Sequence, residues 1–107
     1  MQPIADAVFK ALSDPTRRAI FERLAREGEQ TVHALTEQAG VSQPAVSKHL
    51  LILKSAKLVE ARRDGRETHY RADPLALAPL REWIGAYDAY WNERFDSLES
   101  LLKRMDQ

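Results

Sequence analysis

The stretch VSQPAVSKHLLIL, residues 41–53, has the periodicity of a helix with one buried face. Ser42 can accept a hydrogen bond from a first-turn amide, and Val41 and Val46 can close over that turn as a hydrophobic staple. Apolar residues recur at i, i+4 and i+7 along one face: Val46, Leu50 and Leu53. Small, polar or cationic residues occupy the other faces of the first two turns: Gln43, Ala45, Ser47, Lys48 and His49. This pattern predicts a helix whose N-terminal end lies against base edges and phosphates of DNA.

The composition is that of a single domain with one modest hydrophobic core. The chain has 107 residues, an apolar share of 44%, no cysteine and no long apolar run, which argues against a membrane-spanning or disordered protein. Its first ten residues, MQPIADAVFK, lack the basic region and apolar core of a secretion signal, so we expect a cytoplasmic protein without disulfides. No membrane partner is expected.

The charges are balanced overall but unevenly distributed. Lysine and arginine number 16, as do aspartate and glutamate, and a net charge of zero alone argues against a general nucleic-acid binder. Within residues 42–71, however, basic residues outnumber the acids Glu60, Asp64 and Glu67. The basic residues there are Lys48, Lys54, Lys57, Arg62, Arg63, Arg66 and Arg71. A local positive surface around the helix is therefore expected.

Three further helices are predicted before residue 41. The first covers residues 4–12, with Ile4, Val8, Ala11 and Leu12 at helical spacing. Asp14 followed by Pro15 is a strong start signal for a second helix over residues 15–27, for which we predict an inner face of Ala19, Ile20, Phe21 and Leu24. Thr31 can cap a third helix, with Val32, Leu35 and Ala39 inward and Gly40 at its end. This third helix, the turn and the helix from Ser42 form a helix-turn-helix.

After Lys57 the apolar period changes from that of a helix to that of a strand. Residues 58–62 and 68–72 alternate, and Asp64 with Gly65 is a preferred pair for a two-residue type I′ turn, so a β-hairpin is predicted. Arg62, Arg63 and Arg66 gather at its tip, where guanidinium groups can follow phosphates or enter a minor groove. The alternative is an ordinary solvated, charged hairpin tip.

The last third of the chain predicts one long helix, which begins near Asp73 and Pro74 and tolerates Pro79 only near its start. Apolar residues recur every seven positions, interrupted only by Arg94, as in a coiled-coil seam. The seam comprises Leu77, Ile84, Trp91, Leu98 and Met105, with Leu80, Tyr87 and Leu101 as the alternate set. Trp83, Tyr90, Phe95 and Leu102 widen it. We expect one flank to pack on its own domain and the other on a partner; the alternative is that all of it is intrachain core.

Taken together, three segments resemble the arsenic-repressor-like ArsR/SmtB family of bacterial proteins: ALSDPTRRAIFERLA, then GVSQPAVSKHLLILKSAKLVEARRDGRETHYR, then the aromatic C-terminal helix. The resemblance covers essentially the whole chain. It implies a mostly α winged helix-turn-helix with a β-hairpin wing and a long C-terminal dimerisation helix. Residues 1–73 would form the DNA-binding core and wing, and residues 74–107 the dimerisation helix.

The resemblance also implies a function, namely a homodimeric repressor of transcription that binds an inverted repeat in double-stranded DNA. Its DNA-facing positions correspond to Ser42, Gln43, Ser47, Lys48 and His49. The amide of Gln43 suits a bidentate contact to adenine, and Ser47 suits a contact to a base edge or a phosphate. Lys48 and His49 suit contacts to phosphates, and Ala45 can touch a thymine methyl. The expected dimer interface comprises Leu77, Leu80, Ile84, Tyr87, Trp91, Leu98 and Leu101.

The chain departs from the metal-sensing members of that family. Thr31 and His33 stand where the arsenic and cadmium sensors carry a cysteine pair, and the C-terminal helix, where zinc and nickel sensors bind, has no histidine. His33, His49 and His69 lie on different elements without ligand spacing, so neither a metal site nor a cofactor is expected. A small effector between aromatic rings of the last helix is one hypothesis, and dimer core is the other.

No catalytic site is evident either. A Ser/His/Asp set, a carboxylate pair and a phosphate-binding glycine loop are all missing, which argues against an enzyme. An alternative function of a different class is that of a winged-helix module that uses the same surface to contact protein or RNA instead of DNA.

Overall fold

The computed structural model describes residues 3–106 of the chain. Met1 and Gln2 of the predicted DNA-binding region, and Gln107 of the predicted dimerisation helix, lie outside the described residues. The described part contains six helices and a three-stranded sheet. In chain order the elements are α1 (Pro3–Leu12), α2 (Pro15–Glu27), β1 (Gln30–Thr31), α3 (Val32–Ala39), α4 (Gln43–Ser55), β2 (Val59–Asp64), β3 (Glu67–Ala72), α5 (Ala78–Gly85) and α6 (Asp88–Met105).

Local capping explains where the first helices begin. The side chain of Asp14 accepts a hydrogen bond from the Arg17 amide at 2.8 Å, and Pro15, which has no N–H to satisfy, occupies the first turn of α2. Thr31 caps α3 in the same way through the Ala34 amide at 3.1 Å. The predicted starts and ends of both helices are confirmed.

The turn between α3 and α4 depends on Gly40. Its φ of 71° lies in the left-handed region, which an L side chain adopts only with strain, and it ends α3 as predicted. Ser42 then caps α4, since its hydroxyl oxygen accepts from the Ala45 amide at 3.3 Å. The helix-turn-helix is therefore confirmed.

Lys57 ends α4 in an unusual backbone conformation for a residue with a side chain. Its φ is 63°, its amide bonds to the Lys54 carbonyl, and the Leu58 amide reaches back to the Leu53 carbonyl, both at 3.0 Å. These two bonds form a Schellman motif, which satisfies the last carbonyls of the helix. The chain turns there from α4 into the first strand of the hairpin.

The sheet has the strand order β1-β3-β2, and both pairings are antiparallel. Asp64 pairs with Glu67, so the loop of the hairpin consists of Gly65 and Arg66. The predicted type I′ turn at Asp64 and Gly65 is therefore wrong by one residue. A type I′ turn needs positive φ at both central residues, whereas here only Gly65 has it, at 64°, and a glycine at the first central position is typical of type II′.

The single long C-terminal helix is also a wrong prediction, because the structure divides it. Asp73 and Pro74 belong to a turn in which the Asp73 carboxylate accepts from the Leu75 amide at 2.9 Å, and α5 begins only at Ala78. A second break follows Gly85: the Tyr87 amide bonds to the Ile84 carbonyl at 3.0 Å, which is an i→i+3 contact. Glycine disfavours helix by about 1 kcal/mol relative to alanine, which explains a break at this point.

The core lies where α1, α2, α3, α4 and the base of the hairpin meet. Val46, Leu50 and Leu53 of α4 are completely buried, and each contributes about 1.5 to 3 kcal/mol of hydrophobic stabilisation. They pack in one cluster with buried residues of the other elements: Val8, Ala11, Ile20, Phe21, Leu24, Leu35, Ala56, Leu58, Val59 and Ala76. Ala19 is exposed, contrary to its predicted inner position, since Ile20, Phe21 and Leu24 already define the inner face of α2.

Candidate nucleic-acid interface

The buried stripe of α4 leaves its N-terminal two turns facing outward. Gln43 and Lys48 are exposed, and Ala45, Ser47 and His49 are half-buried. Because the opposite side of the helix is held in the core, the backbone under these side chains is fixed. The predicted polar face is thus presented on a rigid element.

Ser42 is exposed, and its hydroxyl oxygen is engaged as the helix cap. The hydroxyl hydrogen remains available as a donor, since a serine side chain both donates and accepts. Ser42 can therefore cap α4 and donate to a phosphate oxygen at the same time.

His49 has a partner that lies far from it in the sequence. A terminal nitrogen of the Arg17 guanidinium lies 3.4 Å from Nδ1 of His49, and Nε of Arg17 donates to the Ala11 carbonyl at 2.5 Å. Arg17 thus connects the end of α1 to the outer edge of α4. Because 32 positions separate Arg17 from His49, no local pattern could have indicated the contact.

The three arginines of the hairpin do not share one face. Side chains of a strand alternate between its two faces, so Arg62 lies on the opposite face from Arg63. Arg62 makes two bonds to the Glu29 carboxylate, from Nε at 3.2 Å and from a terminal nitrogen at 2.9 Å. This pairing lowers the pKa of Glu29 and raises that of Arg62. Arg62, predicted to contact DNA, is therefore already engaged within the protein.

Arg66 lies beside the N-terminal end of α4. A groove of about 240 Å³ separates the hairpin tip from the helix-turn-helix and is lined by residues of both. From the helices come Thr31, Val32, His33, Gln43 and Ser47, and from the hairpin Arg66, Glu67 and Thr68. Arg63 lies on the same face of the sheet as its cross-strand partner Thr68, and its Nε lies 3.4 Å from the Gly65 carbonyl. The structure thus brings Gln43, Ser47 and Arg66 together around one groove.

The C-terminal helices present a second surface, which is apolar. Every residue from 81 to 106 is exposed, including Trp91 at 50% and Leu98 at 50%. The rings contact one another along this surface, with centroid separations of 5.2 Å for Trp83 and Tyr87 and 5.1 Å for Tyr90 and Trp91. The alternative that the whole seam is intrachain core is therefore wrong.

This apolar surface continues onto α1. The ring of Phe9 packs edge-on against Trp83 at a centroid distance of 5.4 Å, and Phe9 is itself 43% exposed. Arg94, the polar interruption of the heptad pattern, places its guanidinium 4.4 Å from the centroid of the Tyr90 ring. Leu80 differs from the other predicted interface residues, since it is half-buried against the core of its own chain.

The histidines lie on different elements, as the sequence predicts: His33 on α3, His49 on α4 and His69 on β3. His33 pairs with Glu37 at 3.1 Å, and His69 lies 4.0 Å from Glu29. Within residues 3–106, no cluster of three or more histidine, cysteine or acidic side chains is arranged to hold a metal ion. In the same residues, no helix has the length and apolar character needed to span a membrane.

Comparisons with known proteins match most of this architecture. A family model described as a helix-turn-helix domain matches residues 12–62. The HTH-type transcriptional regulator Rv2034 of Mycobacterium tuberculosis is 42% identical over 91% of this chain and 87% of its own length. The structure of an ArsR-like transcriptional regulator from Rhodococcus sp. RHA1 has a TM-score of 0.72 and 33% identity, covering 92% of each chain.

A further solved structure is the homodimeric winged helix-turn-helix DNA-binding domain (fragment 1–100) of Mb0332 from Mycobacterium bovis, described as a possible ArsR-family transcriptional regulator. It has a TM-score of 0.65 and 35% identity, and the match covers 78% of this chain and 76% of that chain.

Proposed function

The chain belongs to the ArsR family of winged helix-turn-helix transcriptional regulators, and from that membership we propose that it represses transcription as a homodimer bound to an inverted repeat. The observation that carries this proposal is the rigid, exposed N-terminal end of α4 beside the arginine-bearing hairpin tip. Repression follows if the bound dimer blocks access to the operator.

Within this proposal, α4 is the recognition helix and enters the major groove. The amide of Gln43 pairs with an adenine, Ser47 contacts a base edge or a phosphate, and the half-buried Ala45 reaches a thymine methyl. Phosphates are contacted by Ser42, Lys48 and His49 from the helix and by Arg63 and Arg66 from the wing, the β2–β3 hairpin. The pairing of Arg62 with Glu29 gives that arginine a different role, developed below.

The second copy of the chain covers the apolar surface of α1, α5 and α6. An exposed apolar surface of this extent on one chain is characteristic of an interaction site. We place Leu77, Ile84, Tyr87, Trp91, Leu98 and Leu101 in the dimer interface, while Leu80 supports it from the core side. Residues 1–73 then act as the DNA-binding unit and residues 74–107 as the dimerisation unit.

Selection of bound sequences from a random duplex library tests the function directly. We expect an inverted repeat whose half-sites lie one helical turn, or a multiple of it, apart. Affinity should fall by about 0.9 log units per log unit of salt for each phosphate contact. Binding that ignores both sequence and salt would instead support a protein- or RNA-binding module.

We further propose that no metal ion is the inducing signal. Thiolates are absent from the whole sequence, and the histidines lie on separate elements, so the described residues offer no compact ligand set. Calorimetric titration with zinc, nickel and cadmium should reveal no stoichiometric site. A site of about micromolar affinity or tighter, enough to shift stability by mass action, would refute this.

The remaining hypothesis for the signal is an apolar effector bound among the exposed rings of Trp83, Tyr87, Tyr90, Trp91 and Phe95. Such a ligand would occupy the boundary between two copies and compete with dimer packing. A panel of hydrophobic ligands that changes neither tryptophan fluorescence nor DNA affinity would assign these rings to the dimer core alone.

A further inference from the structure

Glu29 joins the two outer strands of the sheet across the middle one. It precedes Gln30, which pairs with Tyr70 of β3, and its carboxylate reaches over β3 to Arg62 of β2. The two bonds to Arg62, at 2.9 and 3.2 Å, have the bidentate geometry that fixes both partners in orientation. One side chain near the end of α2 is thus tied to the middle of the wing.

The same face of the wing carries further charged groups around this pair. Arg71 pairs with Glu60 at 2.7 Å, and His69 lies 4.0 Å from Glu29 and 3.9 Å from Glu67. Asp64 is 3.9 Å from Arg62. The opposite face carries Arg63 and its cross-strand partner Thr68, and Thr68 lines the groove between the hairpin tip and α4. The wing therefore has an internally paired face and a face that is open to DNA.

The wing contacts the helices mainly through its base. Backbone pairing with β1 involves only Gln30 and Thr31, and the wing residues that join the core or pack against it lie at its base: Val59, Tyr70 and Ala72. A two-stranded hairpin alone is marginally stable in water. The angle between the wing and α4 therefore depends on any additional contact that holds the wing.

We propose that Glu29 is a positioning residue for DNA binding. By holding Arg62, it sets the angle of the wing so that Arg63 and Arg66 face the same DNA backbone as the recognition helix, and it keeps Arg62 away from that backbone. This inference rests on the proposed function. Preorganisation of this kind favours binding because less conformational freedom is lost on association.

Whether one substitution raises or lowers the affinity for DNA distinguishes this positioning role from a purely electrostatic effect. Removing a negative charge from a DNA-binding protein ordinarily strengthens its grip on a polyanion. If Glu29 positions the wing, Glu29→Gln weakens binding to a duplex recovered by selection, by about two- to fivefold given the strength of exposed ion pairs. The matched control is Glu27→Gln, which removes the same charge from an exposed pair with Arg23 on α2 and should leave affinity unchanged or raise it.

A double-mutant cycle identifies the partner. Arg62→Gln should reduce affinity as much as Glu29→Gln does, and the double variant should be no weaker than either, because the two side chains act as one unit. Tighter binding by Glu29→Gln overturns the proposal. Additive losses, with a salt slope that falls by about one for Arg62→Gln, also overturn it, since Arg62 is then a phosphate contact.

Amide hydrogen exchange tests, without DNA, whether Glu29 anchors the wing. Amides of β2 and β3 should exchange faster in Glu29→Gln than in Glu27→Gln, while those of α4 keep their protection. Equal exchange in the two variants overturns the anchor. Absence of salt-dependent duplex binding by the wild-type chain would refute the proposed function, and hydrogen exchange would still decide the anchoring of the wing.

Discussion

His49 shows how one residue of the recognition helix depends on a distant one. An arginine side chain has only donors, so the contact between the Arg17 guanidinium and Nδ1 of His49, at 3.4 Å, is a hydrogen bond only in the tautomer whose ring N–H is on Nε2. That N–H is then free to donate to a phosphate. Arg17 also bonds to the Ala11 and Lys10 carbonyls, so it connects α1, which bears part of the apolar surface, to the DNA-facing edge of α4.

Gln43 and Arg63 should differ in the kind of loss that their removal causes. Gln43→Ala should relax specificity at one base position and weaken cognate binding by about 1 to 3 kcal/mol, because a bidentate base contact is lost. Arg63→Ala should weaken binding to all duplexes and reduce the salt slope by about one. Titrations of cognate and random duplex at several salt concentrations measure both. Equal losses on the two duplexes for Gln43→Ala, or an unchanged salt slope for Arg63→Ala, would refute these roles.

Asp14 makes the stability of the fold sensitive to acid. The hydrogen bond from the Arg17 amide lowers the pKa of Asp14 below its ordinary value of 3.8. A lowered folded-state pKa means that the ionised cap stabilises the fold at pH values above 3.8 and that this contribution is lost as the pH falls through the lowered pKa.

The test is the pH dependence of the melting temperature between about pH 6 and pH 3, where carboxylates titrate. Asp14→Asn keeps a capping oxygen but cannot titrate, so its melting temperature should fall less steeply with acid than that of the wild type. Parallel curves for the two proteins would show that the cap makes no pH-dependent contribution. Glu29, whose pKa is also lowered, remains intact in both proteins and contributes equally to both curves.

The secondary-structure elements show which features a sequence can predict. The bounds of α2, α3 and α4 follow from caps a few residues away, such as Asp14, Thr31 and Ser42, and these predictions are confirmed. The sequence does not predict the two-residue strand β1, because only its pairing with Tyr70 and His69 defines it. Likewise, no local pattern of the sequence revealed that Glu29 would pair with Arg62 and remove it from the open face of the wing.

The division of the C-terminal helix had a local cause that the heptad pattern concealed. Gly85 lies in the last turn of α5, and a Cβ added there would meet no atom within 4 Å. Gly85→Ala should therefore stabilise the chain by about 0.5 to 1 kcal/mol through lower unfolded-state entropy and better helix propensity. Urea unfolding measures this, with Ala86→Gly as the control of opposite sign.

A loss of stability in Gly85→Ala would contradict this expectation. It would mean that a second copy lies so close to Gly85 that an added Cβ atom disturbs the contact. Sedimentation velocity of the wild type and of Gly85→Ala across a dilution series separates the two effects, since only a lost dimer contact raises the concentration at which the dimer dissociates.

As a whole the chain is elongated, with extents of 66 × 31 × 20 Å, because α6 extends beyond the helical core. All of its described residues are exposed, and its aromatic side is continuous with Phe9 and Trp83. An exposed helix of this kind is not expected to be stable in isolation, since tertiary packing supplies most helical stability in proteins. A second copy that buries this side would give the two recognition helices a fixed spacing.

Trp91 is the residue whose loss should affect dimerisation most. Buried tryptophans are frequent hot spots, so Trp91→Ala should weaken the dimer by about 2 kcal/mol or more and reduce binding to an inverted repeat accordingly. Asn92→Ala, on the polar side of the same helix, is the matched control and should do neither. Sedimentation velocity across a dilution series measures the dimer. A Trp91→Ala variant that stays dimeric at nanomolar concentration would exclude Trp91 from the interface.

The mass of the protein–DNA complex tests most directly whether the recognition helices act as a symmetric pair. Native mass spectrometry on the selected inverted repeat should give two chains per duplex, and a duplex with one half-site randomised should bind far more weakly. A complex of one chain per duplex, with the intact and half-randomised sites bound equally well, would contradict the account.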